Sequence, residues 1–189
     1  MNTIEMTKNT PELGSVLWVA KAITKDPTRK ILKYIHVEND PANDKGCVIA
    51  ATDGRRLHVA KFTERKFDAG NYRIIKYSQS YLFLIDDPDA GTYPIFQGVI
   101  PAHKPEDMIK LTLCYPSKNF DSSQRQFETA IKFHALKNCM FNLGYLSEAA
   151  NGLTDMLVFQ QDELSPLLIK SQGDPLCERI AVVMPCRTN

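Results

Sequence analysis

The residues of this 189-residue chain that could do chemistry are four histidines, five cysteines and a short run of aspartates. His36 and His58 both sit in strand-like stretches, with Cys47 between them in sequence. Brought together, the three could hold a metal ion. No H-x-x-x-H or C-x-x-C spacing supports such a site, and strand histidines satisfied by their neighbours are far commoner. Asp86, Asp87 and Asp89 cluster around Pro88 but lack the glycine and glutamate spacing of a calcium loop. Asp53 beside Arg55 is explained by turn chemistry before acid–base chemistry. There is no phosphate-binding glycine loop, no nucleophile elbow and no dinucleotide fingerprint. The residues therefore predict no enzyme, no metal and no cofactor.

The cysteine count is odd, which predicts reduced thiols in a cytoplasmic protein and no disulfide frame. The N-terminus shows no signal pattern, and no apolar run approaches a membrane span. The formal net charge is +1, so the chain as a whole has little generic attraction for polyanions. Its charge is uneven: +4 over residues 1–66, −1 over 67–136 and −2 over 137–189. An anion-binding face is expected in the first third.

The elements that must position these residues follow from pattern. Ile4 and Met6 alternate with polar residues as in a strand. "NTPELGSVLWVAKAIT" predicts a helix with Thr10 as N-cap, Pro11 at the first position and a stop at Asp26-Pro27. Leu13, Val16, Leu17, Ala20 and Ile23 should face the core. Gly14, Trp18, Lys21 and Lys25 should lie on another face. "KILKYIHVE" alternates as a strand. "AATDGRRLHVA" reads as a hairpin whose Asp53-Gly54 suits a type I′ turn. A second hairpin is expected at "NYRIIKYSQSYLFLIDD", turning near Ser78, Gln79 and Ser80. "PDAGTYPIFQGVIPAHKP" should be a long ordered connector. "MIKLTLCY" and "QFETAIKF" could both be strands, separated by a loop at "PSKNFDSSQRQ". Asn142 is a good N-cap for a helix carrying Leu146, Ala149, Ala150 and Leu153, which Gly152 would end. "DMLVFQQ", "SPLLIKS" and "RIAVVMPCR" then give three strands, with "ALKNCMF" before the helix. Both ends of the chain thus read β-α-β-β-β.

Three separated stretches resemble the bacterial DNA polymerase III β sliding clamp family. "ATDGRRL" (Ala51–Leu57) is similar to the family's A-T-D-G-H-R-L, with Arg55 in place of His. "YPIFQGVIP" (Tyr93–Pro101) is similar to its connector F-P-D-Y-R-R-V-I-P. "SPLLIKS…AVVMPCR" (Ser165–Arg187) resembles its closing V-V-M-P-M-R-L. "FNLGYLSEAANGL" resembles the helix of its last domain. The motifs occur in the family's order. The resemblance implies an α+β, DNA-clamp-like fold of repeated β-α-β-β-β units, with helices packed on antiparallel sheets. Residues 1–66 would form one unit and 137–189 the other. Residues 67–136 would be an inserted hairpin and connector, all within one composite domain.

In the family these motifs form a cleft for short hydrophobic peptides of polymerases, the clamp loader and repair proteins. Carried over, the cleft would use Thr52, Gly54, Arg55, Arg56 and Leu57 from the hairpin. It would use Pro94 and Val99 from the connector, and Val182, Val183, Met184, Pro185, Cys186 and Arg187 from the C-terminus. Gly98, Cys186 and Thr188 depart from the family pattern and shrink its apolar surface. The resemblance also implies double-stranded DNA as a partner, met by Lys21, Lys25, Arg29 and Lys30. It implies homo-oligomeric ring closure, replication functions as a processivity factor, no membrane and no catalytic site. The alternative is a free-standing clamp-fold adaptor or nucleic-acid binder that forms no ring.

Overall fold

The computed structural model describes residues 2–64, 67–112, 140–153 and 155–186. The expected strand at "QFETAIKF", the loop at "PSKNFDSSQRQ" and Arg187 lie outside the described residues, as does most of "ALKNCMF". The chain divides into two compact units, Met1–Phe96 with Asp174–Arg179, and Gln97–Gly173 with Ile180–Asn189.

The first unit contains β1 (Thr3–Thr7), α1 (Leu13–Ala20), β2 (Ile35–Asn39), β3 (Cys47–Thr52), β4 (Arg56–Phe62), β5 (Gly70–Ser78) and β6 (Tyr81–Asp86). Its strands are antiparallel and run β1-β6-β5-β2-β3-β4 across the sheet. The β5–β6 hairpin therefore lies between β1 and β2. Its turn falls at Gln79-Ser80, within the predicted trio.

Alternation sorts the two faces of this sheet. Ile35, Val37, Ile49, Ala51, Ala60 and Phe62 are all buried, and α1 packs against β3 and β4. Burying one such aliphatic side chain stabilises the fold by about 1.5–3 kcal/mol. His36 pairs with Ala50, whereas His58 pairs with Ala51. Adjacent positions on β3 point to opposite faces, so the two histidines are on opposite sides of the sheet. A metal site shared between them is ruled out by that alternation.

The first helix differs from its prediction at both ends. Its N-cap is Glu12, and the Thr10 hydroxyl instead accepts the Thr7 amide at 3.0 Å, closing the turn after β1. The helix ends at Ala20, and Lys21, Ala22 and Ile23 continue in turns bonded three residues back. Two side chains from β4 take carbonyls at that end. His58 Nδ1 lies 2.9 Å from the Trp18 carbonyl, and the Arg56 guanidinium donates to the Lys21 carbonyl. The final carbonyls of a helix have no partner within it, and a cation there also suits the helix dipole. Trp18, expected on a face other than the core-facing one, is buried too, with its ring stacked on His58 at 4.2 Å. Leu13 and Val16 are buried as predicted, while Leu17, Ala20 and Ile23 are half-buried. "KILKYIHVE" begins with a 3-10 turn over Lys30–Lys33, so its strand starts only at Ile35.

The second unit contains β7 (Ile109–Thr112), α2 (Leu143–Ala150), β8 (Asp155–Phe159) and β9 (Leu167–Ser171). The last strand, β10 (Cys177–Val183), begins in the first unit and ends in the second. Within the second unit the antiparallel order is β7-β8-β9-β10. Asn142 caps α2 by accepting the Tyr145 amide at 3.1 Å, and Gly152 follows the helix at φ +76°. Leu146, Ala149, Ala150 and Leu153 are buried, as their spacing predicts. The connector after β6 holds 3-10 turns and no strand before β7.

Candidate peptide-binding surfaces

Each unit carries its own share of the predicted site. In the first, residues Asp53, Gly54 and Arg55 join β3 to β4. The turn is not type I′, which needs positive φ at both central residues. Gly54 has φ +85°, but no residue other than glycine has positive φ among those described. Asp53 shapes the turn through its side chain instead. One carboxylate oxygen accepts the Arg55 and Arg56 amides at 2.9 and 3.1 Å, and the other accepts Arg56 Nε at 3.2 Å. The Thr52 hydroxyl donates to the Arg56 carbonyl at 2.6 Å and accepts the Gly54 amide at 3.0 Å.

Two further residues fasten this tip from outside. Arg29 Nη1 donates to the Asp53 carbonyl at 2.9 Å. Gly54 is favoured here by its positive φ, whereas a Cβ at this position would only have to displace the flexible end of the Arg29 side chain. The Tyr93 hydroxyl accepts the Thr52 amide at 3.1 Å, which draws the connector residue before Pro94 against the hairpin. Tyr93 also stacks on His36 at 4.7 Å, and burial pushes its hydroxyl pKa upward.

The predicted residues of this unit separate by exposure. Gly54, Arg55 and Pro94 are exposed and Thr52 is half-buried, whereas Arg56 and Leu57 are 7% and 2% exposed. Of the residues proposed for DNA, Lys25, Arg29 and Lys30 are exposed and Lys21 is half-buried. Arg29 is engaged with the Asp53 carbonyl and lies 3.7 Å from the Asp26 carboxylate. Neither α1 nor α2 carries a lysine or arginine within its helical bounds.

In the second unit, Val182 and Val183 pair with Leu168 and Leu167 and are almost fully buried. Met184 is 40% exposed, Pro185 half-buried and Cys186 exposed. This stretch is held by a bridge between Pro185 and Phe141 and by the Cys186 amide, which donates to the Met140 carbonyl at 2.7 Å. Met140 and Leu143 are exposed apolar residues of the same unit, as is Val99. Pattern reading missed Tyr93, Met140 and Leu143. An aromatic directly before the connector proline was the available signal for Tyr93.

An antiparallel α+β fold with this element order is of the DNA-clamp type. No protein-family model matches the sequence, and no curated protein matches it. Solved structures match the fold. The Helicobacter pylori beta clamp bound to a DNA ligase peptide superposes with a TM-score of 0.60 at 14% identity, over 98% of this chain and 66% of that one. Caulobacter crescentus pol III beta gives a TM-score of 0.62 at 14% identity, over 100% and 66%. The sliding clamp of Bartonella birtlesii, bound to griselimycin, gives 0.59 at 18%, over 98% and 66%. The match therefore spans just under two thirds of the length of these bacterial clamps. At such identities the likeness is one of fold. Among the described residues no helix is long and apolar enough to cross a membrane.

Proposed function

We propose that the chain is a clamp-like, non-catalytic scaffold of DNA replication or repair that binds short hydrophobic peptides of polymerase- or clamp-loader-type partners. The hairpin tip with its connector, and the Met184–Cys186 stretch, would supply the binding surfaces. The observation that carries this reading is the Tyr93–Thr52 hydrogen bond, which gathers two of the three signature stretches into one assembly. A clamp of the same fold has been solved with a DNA ligase peptide, which supports the choice of ligand. Exposed Met184 offers a soft, adaptable apolar contact. Exposed Arg55 offers a fork for a peptide carbonyl or carboxylate. Arg56 serves the scaffold instead, because its guanidinium is spent on Asp53 and Lys21.

An NMR titration with a Gln-Leu-x-Leu-Phe peptide tests this. The Gly54 and Arg55 amides and the Met184 methyl should shift. Unmoved signals at high peptide excess would overturn the reading. A second reading, a clamp-fold nucleic-acid binder without a ring, is favoured by the exposure of Lys25 and Lys30. It expects duplex DNA binding that weakens steeply with salt.

A further inference from the structure

The β1-β6-β5 end of the first unit has two contrasting faces. Ile4, Met6, Tyr72, Leu82 and Leu84 point into the core and are buried. On the opposite face the middle strand presents Tyr81, Phe83 and Ile85, all half-buried. A solvent-facing middle strand ordinarily alternates to polar residues. Here each outward position on β6 is aromatic or aliphatic.

The flanking strands give this column its charge. Arg73 stands level with Ile85, and Lys76 with Phe83. Strict alternation from Arg73 would put Ile75 outward and Lys76 inward. A bulge between Ile74 and Lys76 shifts the register and brings Lys76 to the aromatic column. Bulges commonly re-aim a side chain in this way. The Lys76 ammonium lies 5.8 Å from the Tyr81 ring centre. On the other side β1 sets Thr3, Glu5 and Thr7 level with Ile85, Phe83 and Tyr81. Burial and then the Glu5 charge raise the Tyr81 hydroxyl pKa, and the two cations Arg73 and Lys76 outnumber that one carboxylate on this face.

We propose that this face binds single-stranded nucleic acid, with bases stacking on Tyr81 and Phe83 and phosphates held by Arg73 and Lys76. Same-face residues along a strand are about 6.8 Å apart, which gives each ring room for its own base. Aromatics on a sheet surface are an established platform for unstacked bases, and neighbouring cations track the backbone. A duplex keeps its bases paired and stacked, so the column selects single strands. This site is separate from the loop carrying Lys25 and Lys30, and it does not depend on peptide binding.

Fluorescence anisotropy of a labelled oligothymidylate, titrated with the full chain at low salt, tests the inference. Binding should weaken steeply as salt rises. Tyr81→Ala and Phe83→Ala should each lower affinity roughly tenfold. Lys76→Glu, on an exposed position that leaves the core untouched, should weaken binding and reduce the salt slope by about 0.7. Lys45→Ala, at an exposed lysine in the turn between β2 and β3, should leave oligothymidylate binding unchanged, and a Lys25→Ala, Lys30→Ala variant separates this face from the basic loop. No binding by a natively folded chain would overturn the proposal and leave the face to a protein partner. Binding lost in the Lys25/Lys30 variant but kept in Lys76→Glu would also overturn it, and would place nucleic acid on the basic loop.

Discussion

The hairpin tip around Gly54 and the stretch from Met184 to Cys186 were both expected at one binding cleft, yet they are built in opposite ways. At the tip nearly every polar group is used internally. Asp53 holds three donors of the following arginines, Thr52 both donates and accepts, and Arg29 and Tyr93 fasten the tip from outside. At the C-terminal stretch, among the described residues, one bridge and one amide hydrogen bond hold the backbone, and Met184 is left exposed. One motif is mainly an instruction for folding. The other leaves an apolar side chain exposed. The difference teaches that residues expected at one site need not share one role, and stability measurements separate the roles.

The largest expected effect lies just behind the tip, at His58. Burial holds its pKa at about 3, and the neighbouring charges of Arg56 and Lys21 push the same way. Arg179, whose guanidinium lies 6.0 Å from the Trp18 ring, adds a further cation to the surroundings of this stack. Nε2 of His58 has no hydrogen-bond partner among the described residues. The unfolded chain takes up a proton near pH 6.5, which the folded core refuses until about pH 3. Stability from this group is therefore complete above pH 6.5 and falls as pH drops through that window. The loss amounts to on the order of 4–5 kcal/mol by pH 3. Urea unfolding across pH should show it, and His58→Leu should flatten the slope whatever its effect at neutral pH. An unchanged slope in the variant would show that other groups drive acid unfolding.

Arg56 comes next. Its guanidinium pairs with Asp53 at 3.2 Å and takes the Lys21 carbonyl at the end of α1. Removing one member of a buried pair leaves the other uncompensated, at about 3–5 kcal/mol. Asp53 is 13% exposed at its side chain, which places Arg56→Met at the lower end, about 3 kcal/mol. Denaturant midpoints would measure this. A loss below about 1 kcal/mol, with peptide affinity abolished, would reverse the assignment and return Arg56 to the binding surface.

Much of this architecture was legible in the sequence. The second helix could be read nearly to the residue, because Asn142, the Leu146-Ala149-Ala150 spacing and Gly152 act locally. The first helix was misread at both ends, because its ends depend on distant partners. Arg56 and His58 lie far along the chain from the carbonyls they take. No local pattern announces such pairings. The tip turn shows the same limit. Asp-Gly predicts a turn, but the Asp53 side chain and Arg29 select its form. Exposure was the least legible property of the candidate site. Alternation says that neighbouring residues face opposite ways, but not which face another element covers. Hence Leu57, Val182 and Val183 are core residues, while Met184 is not.

Met184 should show the smallest change in stability and the clearest change in binding. It follows β10 directly and remains 40% exposed. Truncating an exposed side chain away from caps and cores usually shifts stability by less than about 0.5 kcal/mol. Met184→Ala should therefore unfold at the wild-type denaturant concentration. Its peptide affinity should nevertheless fall, because about 100 Å² of apolar contact at 25 cal/mol per Å² corresponds to roughly 2.5 kcal/mol at most. Val183→Ala is the matched control one residue earlier, where the side chain is fully buried between strands. It should lose about 1–2 kcal/mol of stability from the missing methyl groups and the cavity they leave. If Met184→Ala destabilised the fold as much as Val183→Ala, the C-terminal stretch would be structural like the hairpin tip. The contrast between the two regions would then collapse. If stability held and affinity fell, the end of β10 would mark the point where the chain passes from core to ligand surface.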